Sequence, residues 1–284
     1  MRSFCALAAA AALTMAVATP GESQTPAVAA PAFAYADLAD LGLAAPIVAH
    51  VRIAGAIVLK DAQAAGVKAG MARFYVEADT VSLLRGSSGI AARVRYLVDL
   101  PRDSAGRAPK LRKRSEYILF AEPVAGRPGE LRLIAPDAQL AWSAGQADML
   151  RAILREASGR APPPRVTGIG RAFHEPGSLP GESETQIFLQ TADGRPVSLN
   201  VLRRPGETPR WSVALSEIVD DAAEPPRPQT LLWYRLACTL PASLPRQSLA
   251  EAESPDAIRA DYRLVLEGLG RCERRRGSAA SAVK

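Results

Sequence analysis

The feature that most constrains the fold of this chain is a strict two-residue alternation of apolar and polar side chains. In the segment 91–100, Val94, Tyr96 and Val98 alternate with Arg93 and Arg95. Such alternation indicates a β-strand with one face in the core and one in water, as is typical of antiparallel sheets. Five segments of β character, separated by turn-forming residues, lie at 47–53, 71–84, 91–100, 117–124 and 131–142. They predict a curved antiparallel sheet or a small barrel.

The rest of the pattern adds helices and a smaller sheet. Ser143 begins a capping box and a helical stripe, and the stiff connector "APPPR" at 161–165 is a candidate domain boundary. Beyond it, β-type segments recur, with a hairpin tip at 192–195. Thr230 and Pro255 then begin two helices near the C-terminus. The sequence therefore predicts an α+β fold, mainly antiparallel β, with a C-terminal helix pair.

The N-terminus has the pattern of a secretory signal peptide. Arg2 precedes an apolar run from Phe4 to Ala18, which ends in Ala16-Val17-Ala18. This run is shorter than the ~20 residues of a membrane-spanning helix, and no later segment is as apolar over that length. We therefore expect no transmembrane segment and an exported protein, in a bacterial periplasm after cleavage near Ala18.

The predicted organisation follows from these boundaries. The chain begins with a signal peptide at 1–18 and a flexible lead-in at 19–44. Two β-rich parts follow: a unit with one terminal helix at 45–160, and a smaller sheet with two disulfide-linked helices at 165–273. A disordered tail at 274–284 ends the sequence. The sequence leaves open whether the two β-rich parts share one core.

The cysteines support the same compartment. Removal of the signal peptide would remove Cys5 and leave Cys238 and Cys272. An even number of cysteines in an oxidising compartment indicates a disulfide. Because Cys238 lies late in the first C-terminal helix and Cys272 lies just beyond the second, the bridge is expected to join these two helices.

The stretch "RAFHEPGSLPGESETQIF" combines a histidine with carboxylates and hydroxyl groups. A catalytic interpretation makes His174 a general base that Glu182 or Glu184 orients. The nucleophile would be Ser178 or Ser183. No G-x-S-x-G or H-E-x-x-H motif is present here, and the prolines and glycines suit a wide turn between two strands. The sequence favours the turn and leaves catalysis as the alternative.

Metal and cofactor sites are not predicted. The two histidines, His50 and His174, are far apart in the sequence and each lies without a ligand neighbour. The fragment "GIGRAF" at 168–173 follows a strand, but it lacks the third glycine and the helix of a dinucleotide-binding fingerprint. We expect no metal and no cofactor.

The most concentrated charge lies in the turn-forming segment 102–114, between two predicted strands. A loop of this charge is suited to an anionic envelope component or an acidic protein partner. Nucleic acid is not expected, because the loop has no aromatic residues for base stacking. A solvated hairpin arm is the alternative. The basic residues are Arg102, Arg107, Lys110, Arg112, Lys113 and Arg114.

Two classes of function remain open from the sequence. The favoured hypothesis is a non-catalytic binding or assembly module that uses the basic loop 102–114. The alternative is a hydrolase that acts on an envelope polymer, with His174 as base and Glu182 or Glu184 as its partner. Steep salt dependence of binding would favour the first class, because exposed charges are screened by salt.

Overall fold

The computed structural model of the protein describes residues 33–216 and 223–276. The predicted signal peptide at 1–18 lies outside these residues, as do residues 277–284 of the predicted tail. Within the described ranges, no helix has the length and apolar character needed to cross a membrane.

The N-terminal sheet has the predicted antiparallel character and closes into a barrel-like form. The strand order is β1-β2-β3-β5-β4, and β1 also pairs with β4, while β6 adds to β4. All these pairs are antiparallel except β3 with β5. The strands are β1 (Ile47–Val58), β2 (Met71–Arg85), β3 (Arg93–Pro101), β4 (Glu116–Pro123), β5 (Glu130–Leu133) and β6 (Gln139–Ala141).

The predicted alternation determines which side chains fill the barrel. Phe74 and Val76 of β2, Tyr96 of β3 and Leu119 of β4 are buried together in its interior. Their sequence neighbours point outward, because successive residues of a strand face opposite sides. The prediction of a small barrel is confirmed.

Within the described residues, a second sheet and four α-helices complete the α+β fold. The sheet is an antiparallel meander in the order β10-β9-β8-β7. Its strands are β7 (Val166–Pro176), β8 (Ser183–Thr191), β9 (Val197–Arg203) and β10 (Arg210–Ala214). The helices are α1 (Tyr35–Ala44), α2 (Ala144–Ala157), α3 (Leu231–Ala237) and α4 (Pro255–Leu269).

One hydrophobic core extends through both β-rich parts. It combines Val48 and Phe120 from the outer face of the barrel with Leu150 of α2, Ile187 of β8 and Val265 of α4. Residues on both sides of the connector at 161–165 therefore contribute to one core, and the described residues form one compact unit.

The predicted helix starts and the predicted disulfide are confirmed. The hydroxyl of Ser143 accepts a hydrogen bond from the backbone N–H of Gln146, and Thr230 accepts one from Trp233. Cys238 and Cys272 are bonded, with 5.1 Å between their Cα atoms. The bridge joins the end of α3 to the segment that follows α4.

The predicted flexible lead-in at 19–44 is wrong for residues 35–44, which form α1. Leu38 and Leu41 of this helix are almost completely buried in the common core. The Pro- and Ala-rich composition before the helix suggested a flexible segment. Tertiary packing stabilises the helix, as it does most short helices in proteins.

The predicted disordered tail at 274–284 is wrong for residues 274–276, which lie against α1. Arg274 forms an ion pair with Asp40, and the backbone N–H groups of Arg275 and Arg276 donate hydrogen bonds to the buried carboxylate of Asp37. These contacts form because the disulfide at Cys272 brings the end of the chain near the N-terminal helix. A run of arginines in the sequence does not show such distant partners.

The first testable prediction concerns the contribution of the disulfide to stability. Replacing Cys238 and Cys272 together by serine should lower the free energy of unfolding by about 3 to 4 kcal/mol, because the bridge restricts the unfolded chain. The bonded residues are 34 positions apart. Urea unfolding followed by circular dichroism measures the change. Wild-type protein reduced with dithiothreitol should unfold at the same urea midpoint as the variant. If both had the same midpoint as the oxidised wild type, the prediction would be contradicted.

The ion pair between Asp137 and Arg276 predicts an acid-dependent contribution to stability. The hydrogen bond from the Arg276 guanidinium, together with its charge, lowers the pKa of Asp137 from the usual 3.8. A lowered carboxyl pKa stabilises the folded state above the unfolded pKa, and this contribution is lost as the pH falls through the folded pKa. Asp137→Asn should therefore cost up to about 1 kcal/mol at pH 7 and less at pH 2, because this contribution is lost as the pH falls through the lowered pKa of Asp137. Thermal unfolding of the wild type and the variant between pH 2 and pH 7 tests this prediction. An equal loss of stability at pH 2 and at pH 7 would contradict it.

Candidate functional site

The predicted basic loop connects β3 to β4 and covers one end of the barrel. Ala108 and Leu111 turn inward from this loop and pack against the residues of the barrel interior. The loop is therefore anchored on the barrel by its apolar residues. All six of its predicted binding residues are exposed: Arg102, Arg107, Lys110, Arg112, Lys113 and Arg114.

The first part of the loop is a hydrogen-bonded turn. The carboxylate of Asp103 accepts hydrogen bonds from the backbone N–H groups of Ala105 and Arg107, at 3.0 and 2.8 Å. The guanidinium of Arg107 pairs with the same carboxylate at 2.8 Å. The hydrogen bonds from Arg107, first from its backbone and then from its side chain, lower the pKa of Asp103. Arg107 is therefore neutralised within the loop.

The second part of the loop carries positive charge without carboxylate partners. Lys110, Arg112, Lys113 and Arg114 form no ion pair with any residue in the ranges 33–216 and 223–276. Four exposed cations thus lie within five consecutive positions. Their charge is available to a molecule outside the chain.

The loop between β1 and β2 adds two more exposed lysines to the same end of the barrel. The backbone N–H of Arg102 donates to the carbonyl of Gly70 at 2.8 Å, which holds the two loops together. Every lysine of the described residues lies in one of these loops. We call this surface the basic end. It consists of Lys60, Lys68, Arg102, Arg107, Lys110, Arg112, Lys113 and Arg114.

The stretch that suggested catalysis forms a β-hairpin. β7 continues to Pro176, β8 begins at Ser183, and residues 177–182 form the turn between them. His174 lies within β7 opposite Thr185 of β8. The histidine is therefore part of the second sheet and not of the turn.

A buried polar network surrounds His174. The hydroxyl of Thr185 donates to Asp261 of α4 at 2.5 Å, and the guanidinium of Arg203 donates to the same carboxylate at 2.5 and 2.8 Å. The Nδ1 atom of His174 lies 2.8 Å from the Thr185 oxygen. Because the single hydroxyl proton of Thr185 goes to Asp261, Nδ1 of His174 is the donor in this contact. The network joins α4 to three strands.

The structure does not bring Glu182 or Glu184 into hydrogen-bond or ion-pair contact with His174, whose partners among the described residues are Thr185 and Asp261. The carboxylate of Glu182 accepts a hydrogen bond from the backbone N–H of Leu179 within the turn, at 3.3 Å. Glu184 lies opposite Glu175, on the face of the hairpin away from His174. The reason is the two-residue period of β8, which places Thr185 toward His174 and therefore Glu184 away from it.

The two candidate nucleophiles are also separate from His174. Ser178 is exposed in the turn, while Ser183 is buried at the start of β8. Neither hydroxyl forms a hydrogen bond to the imidazole, whose Nδ1 atom contacts Thr185 and lies 3.9 Å from Asp261. The hydroxyl that His174 meets is thus that of Thr185, which is fully buried and donates to Asp261.

The residues that sequence reasoning missed are Thr185, Arg203 and Asp261. Asp261 offered one signal, because it lies on the apolar stripe of α4 between Ile258 and Val265. An acidic residue at a core position of a helix indicates a buried partner. Its identity was not visible, since Thr185 is 76 positions away in the sequence.

His50 has structural partners of its own on the outer face of β1. Its Nε2 atom lies 2.9 Å from the carboxylate of Glu116, and its ring stacks on Trp142 with the ring centres 5.1 Å apart. Arg52 donates to the same carboxylate, and this hydrogen bond is the main cause of the lowered pKa of Glu116. No group of three or more metal-ligating side chains is found among the residues described.

The Asp261 network predicts that two acidic residues of α4 differ in the stability that is lost when each is replaced by alanine. Asp261→Ala should cost about 3 kcal/mol, because it leaves Thr185 unsatisfied and the Arg203 charge unpaired. We place this loss at the low end for a buried pair because the Arg203 side chain is 35% exposed. Asp256→Ala is the matched control, since its side chain is 97% exposed. Equal urea midpoints for the two variants would contradict the structural role of the network.

Comparison with known proteins gives no further guide to the site. Neither the protein-family models nor the curated proteins contain a match to this chain. The function has to be argued from the charges and contacts of the chain itself. Of the two segments that the sequence singled out, the loop 102–114 carries exposed cations without carboxylate partners among the described residues, whereas His174 is held in a buried network.

Proposed function

We propose that the protein is a non-catalytic binding or assembly module whose basic end attaches to an anionic surface or to an acidic partner. The observation that carries the proposal is the run of exposed cations without carboxylate partners, which includes Lys110, Arg112 and Lys113. Unpaired positive charge on one surface attracts anions over roughly the Debye length, about 8 Å at physiological ionic strength.

The distribution of charge supports this assignment. Most arginines of the barrel strands pair with carboxylates across the ladder, as Arg93 does with Asp79 at 2.7 Å, while Arg85 donates to the carbonyls of Gly42 and Leu43. The lysines, by contrast, lie in the two loops of the basic end. Lysine presents a compact, hydrated point charge with three donors, which suits contact with phosphate or carboxylate groups.

The anchoring of the loop also supports a binding role. Leu111 packs on the barrel, and the carboxylate of Asp103 holds the turn from within. A loop whose backbone is already ordered loses less conformational entropy when it binds. The cations are therefore presented on a fixed support and not on a free arm.

Export to an oxidising compartment is part of the proposal. It is supported by the disulfide between Cys238 and Cys272, since such bonds persist mainly outside the cytosol. In an envelope, the partners with suitable chemistry are anionic lipid head groups, phosphorylated polysaccharides and acidic proteins. The loop 102–114 contains no aromatic residue, and nucleic acid is not part of the proposal.

The test uses vesicles that contain phosphatidylglycerol, with pure phosphatidylcholine vesicles as the uncharged reference. The triple variant Lys110→Gln, Arg112→Gln, Lys113→Gln should bind the anionic vesicles about 100-fold more weakly, at about 1 kcal/mol for each cation near the surface. Binding by the wild type should also weaken steeply between 50 and 500 mM NaCl, conditions that shorten the Debye length. Vesicle co-sedimentation measures both effects.

The matched control removes three exposed arginines from other parts of the chain. In the variant Arg160→Gln, Arg204→Gln, Arg263→Gln the net charge changes by the same amount, but the basic end is intact. Its affinity should stay within about threefold of the wild type, because distant charges are screened. An equal loss in both triple variants, or an affinity that salt leaves unchanged, would refute the role of the basic end.

A further inference from the structure

An apolar row crosses the outer face of the barrel, where polar residues are expected. Ile57 of β1 is paired with Tyr75 of β2, and Tyr75 is paired with Leu97 of β3. Ile57 is 60% exposed and Leu97 is 46% exposed. Three neighbouring strands thus present apolar side chains to solvent in one line. Such a row on the polar side of a sheet indicates a binding surface.

Ion pairs border this apolar row on both sides along β2 and β3. Arg73 and Asp99 form a bidentate ion pair, with both N–O distances at 2.8 Å. On the other side, Arg95 pairs with Glu77 at 3.2 Å. Each pair leaves further guanidinium N–H groups and carboxylate lone pairs available. The surface is therefore a strip of apolar side chains between two strips of oriented donors and acceptors.

The part of the strip that lies on β2 and β3 forms the floor of a cleft of about 670 Å³, which we call the β2–β3 cleft. Tyr75 and Leu97 line it from the two strands, and β5 with the segments before and after it forms the opposite wall. This wall includes Ile134 and two more arginines, Arg127 and Arg132, which pair with carboxylates of their own. The volume lies within the usual range of ligand sites, about 300 to 1,000 Å³.

We propose that the β2–β3 cleft binds a neutral oligosaccharide. A sugar ring has an apolar C–H face, which fits against the Tyr75 ring and Leu97. Its hydroxyl groups each donate and accept hydrogen bonds. They can donate to the carboxylates of Asp99 and Glu130, which line the cleft, while they accept from the paired arginines, and hydrogen bonds to charged groups are the stronger kind.

The paired charges of the cleft favour a neutral occupant over an anionic polymer. Each arginine that lines it, including Arg73 and Arg95, is paired with a carboxylate. A polyanion would face these carboxylates at short range. A neutral ligand keeps every pair intact and uses the remaining hydrogen-bonding capacity.

The strand pairing limits where a peptide strand could bind. Extended peptides usually bind by adding to an exposed sheet edge. Here β2 is paired on both edges, with β1 and β3, and β3 is paired with β5 at Arg95 and Tyr96, so that the edge left at the cleft is the short end of β3 up to Pro101. Proline-rich peptides use grooves lined by several aromatic residues, whereas Tyr75 is the aromatic side chain at the middle of this floor. The donors and acceptors of the cleft fit hydroxyl groups better than either peptide mode.

The experiment is a binding screen of the full chain against neutral oligosaccharides, followed by calorimetric titration. The panel contains α- and β-linked glucans, galactans, mannans and N-acetylglucosamine oligomers. At least one should bind, and Tyr75→Ala should weaken it about tenfold or more through the loss of stacking area. Leu97→Ser should weaken it as well. Circular dichroism melts verify that both variants are folded.

The control variant is Phe188→Ala, which removes another half-exposed aromatic ring, on the second sheet. It should leave affinity for the sugar unchanged. Raising NaCl from 50 to 500 mM should change that affinity by less than about twofold, because the ligand carries no charge. This separates the cleft from the basic end, whose binding is expected to depend steeply on salt.

Three outcomes would overturn the inference. One is that no oligosaccharide of the panel binds. Another is that sugar binding survives both Tyr75→Ala and Leu97→Ser. The third is that a proline-rich peptide library yields a ligand that depends on Tyr75 while no sugar does. None of these outcomes affects the vesicle experiment on the basic end, so that each proposal is tested independently of the other.

Discussion

The pairing of β1 along both of its edges is the constraint on which the rest of this structure depends. β1 bonds to β2 on one side and to β4 on the other, and this closes the barrel. Closure removes the exposed edges that an open sheet presents. It also divides the outer surface, because Val48 and Phe120 lie side by side where β1 meets β4 and are buried in the common core. The outer face of β2 and β3 and the ends of the barrel remain for ligands.

The two accessible regions differ in charge for a structural reason. The register of β2 and β3 places a carboxylate opposite each arginine, as in the pairs Arg73–Asp99 and Arg93–Asp79. In loops, no neighbouring strand supplies such a partner at a fixed position, and no carboxylate of the described residues offsets the charge of Lys110. Exposed ion pairs contribute little to stability. Their main effect here is to make one surface neutral and well oriented beside another that is positive.

Local sequence patterns predicted local features well. The alternation in β3 identified the interior residues, and the positions of Cys238 and Cys272 relative to two helices predicted the disulfide. The parallel pairing of β3 with β5 and the burial of α1 were not predicted. Both depend on contacts between distant parts of the chain, and periodicity carries no information about which segments become neighbours. Leu97 was visible as an apolar residue at an outward position, but its partners in β1 and β2 were not.

The network around Asp261 shows why a histidine beside glutamates in sequence need not have a glutamate as its partner. Side chains of a strand alternate in direction, and Thr185 faces His174, so Glu184 faces away. The carboxylate that meets the network comes from α4, where Thr185 and Arg203 satisfy it. The same helix is followed by Cys272, which is bonded to the end of α3. The helix layer is thus held at the middle of α4 and just beyond its end, while neither the cleft nor the basic end takes part in these contacts. Residues that stabilise the fold and residues that meet ligands therefore lie in separate parts of the molecule, and substitutions can test one set without disturbing the other.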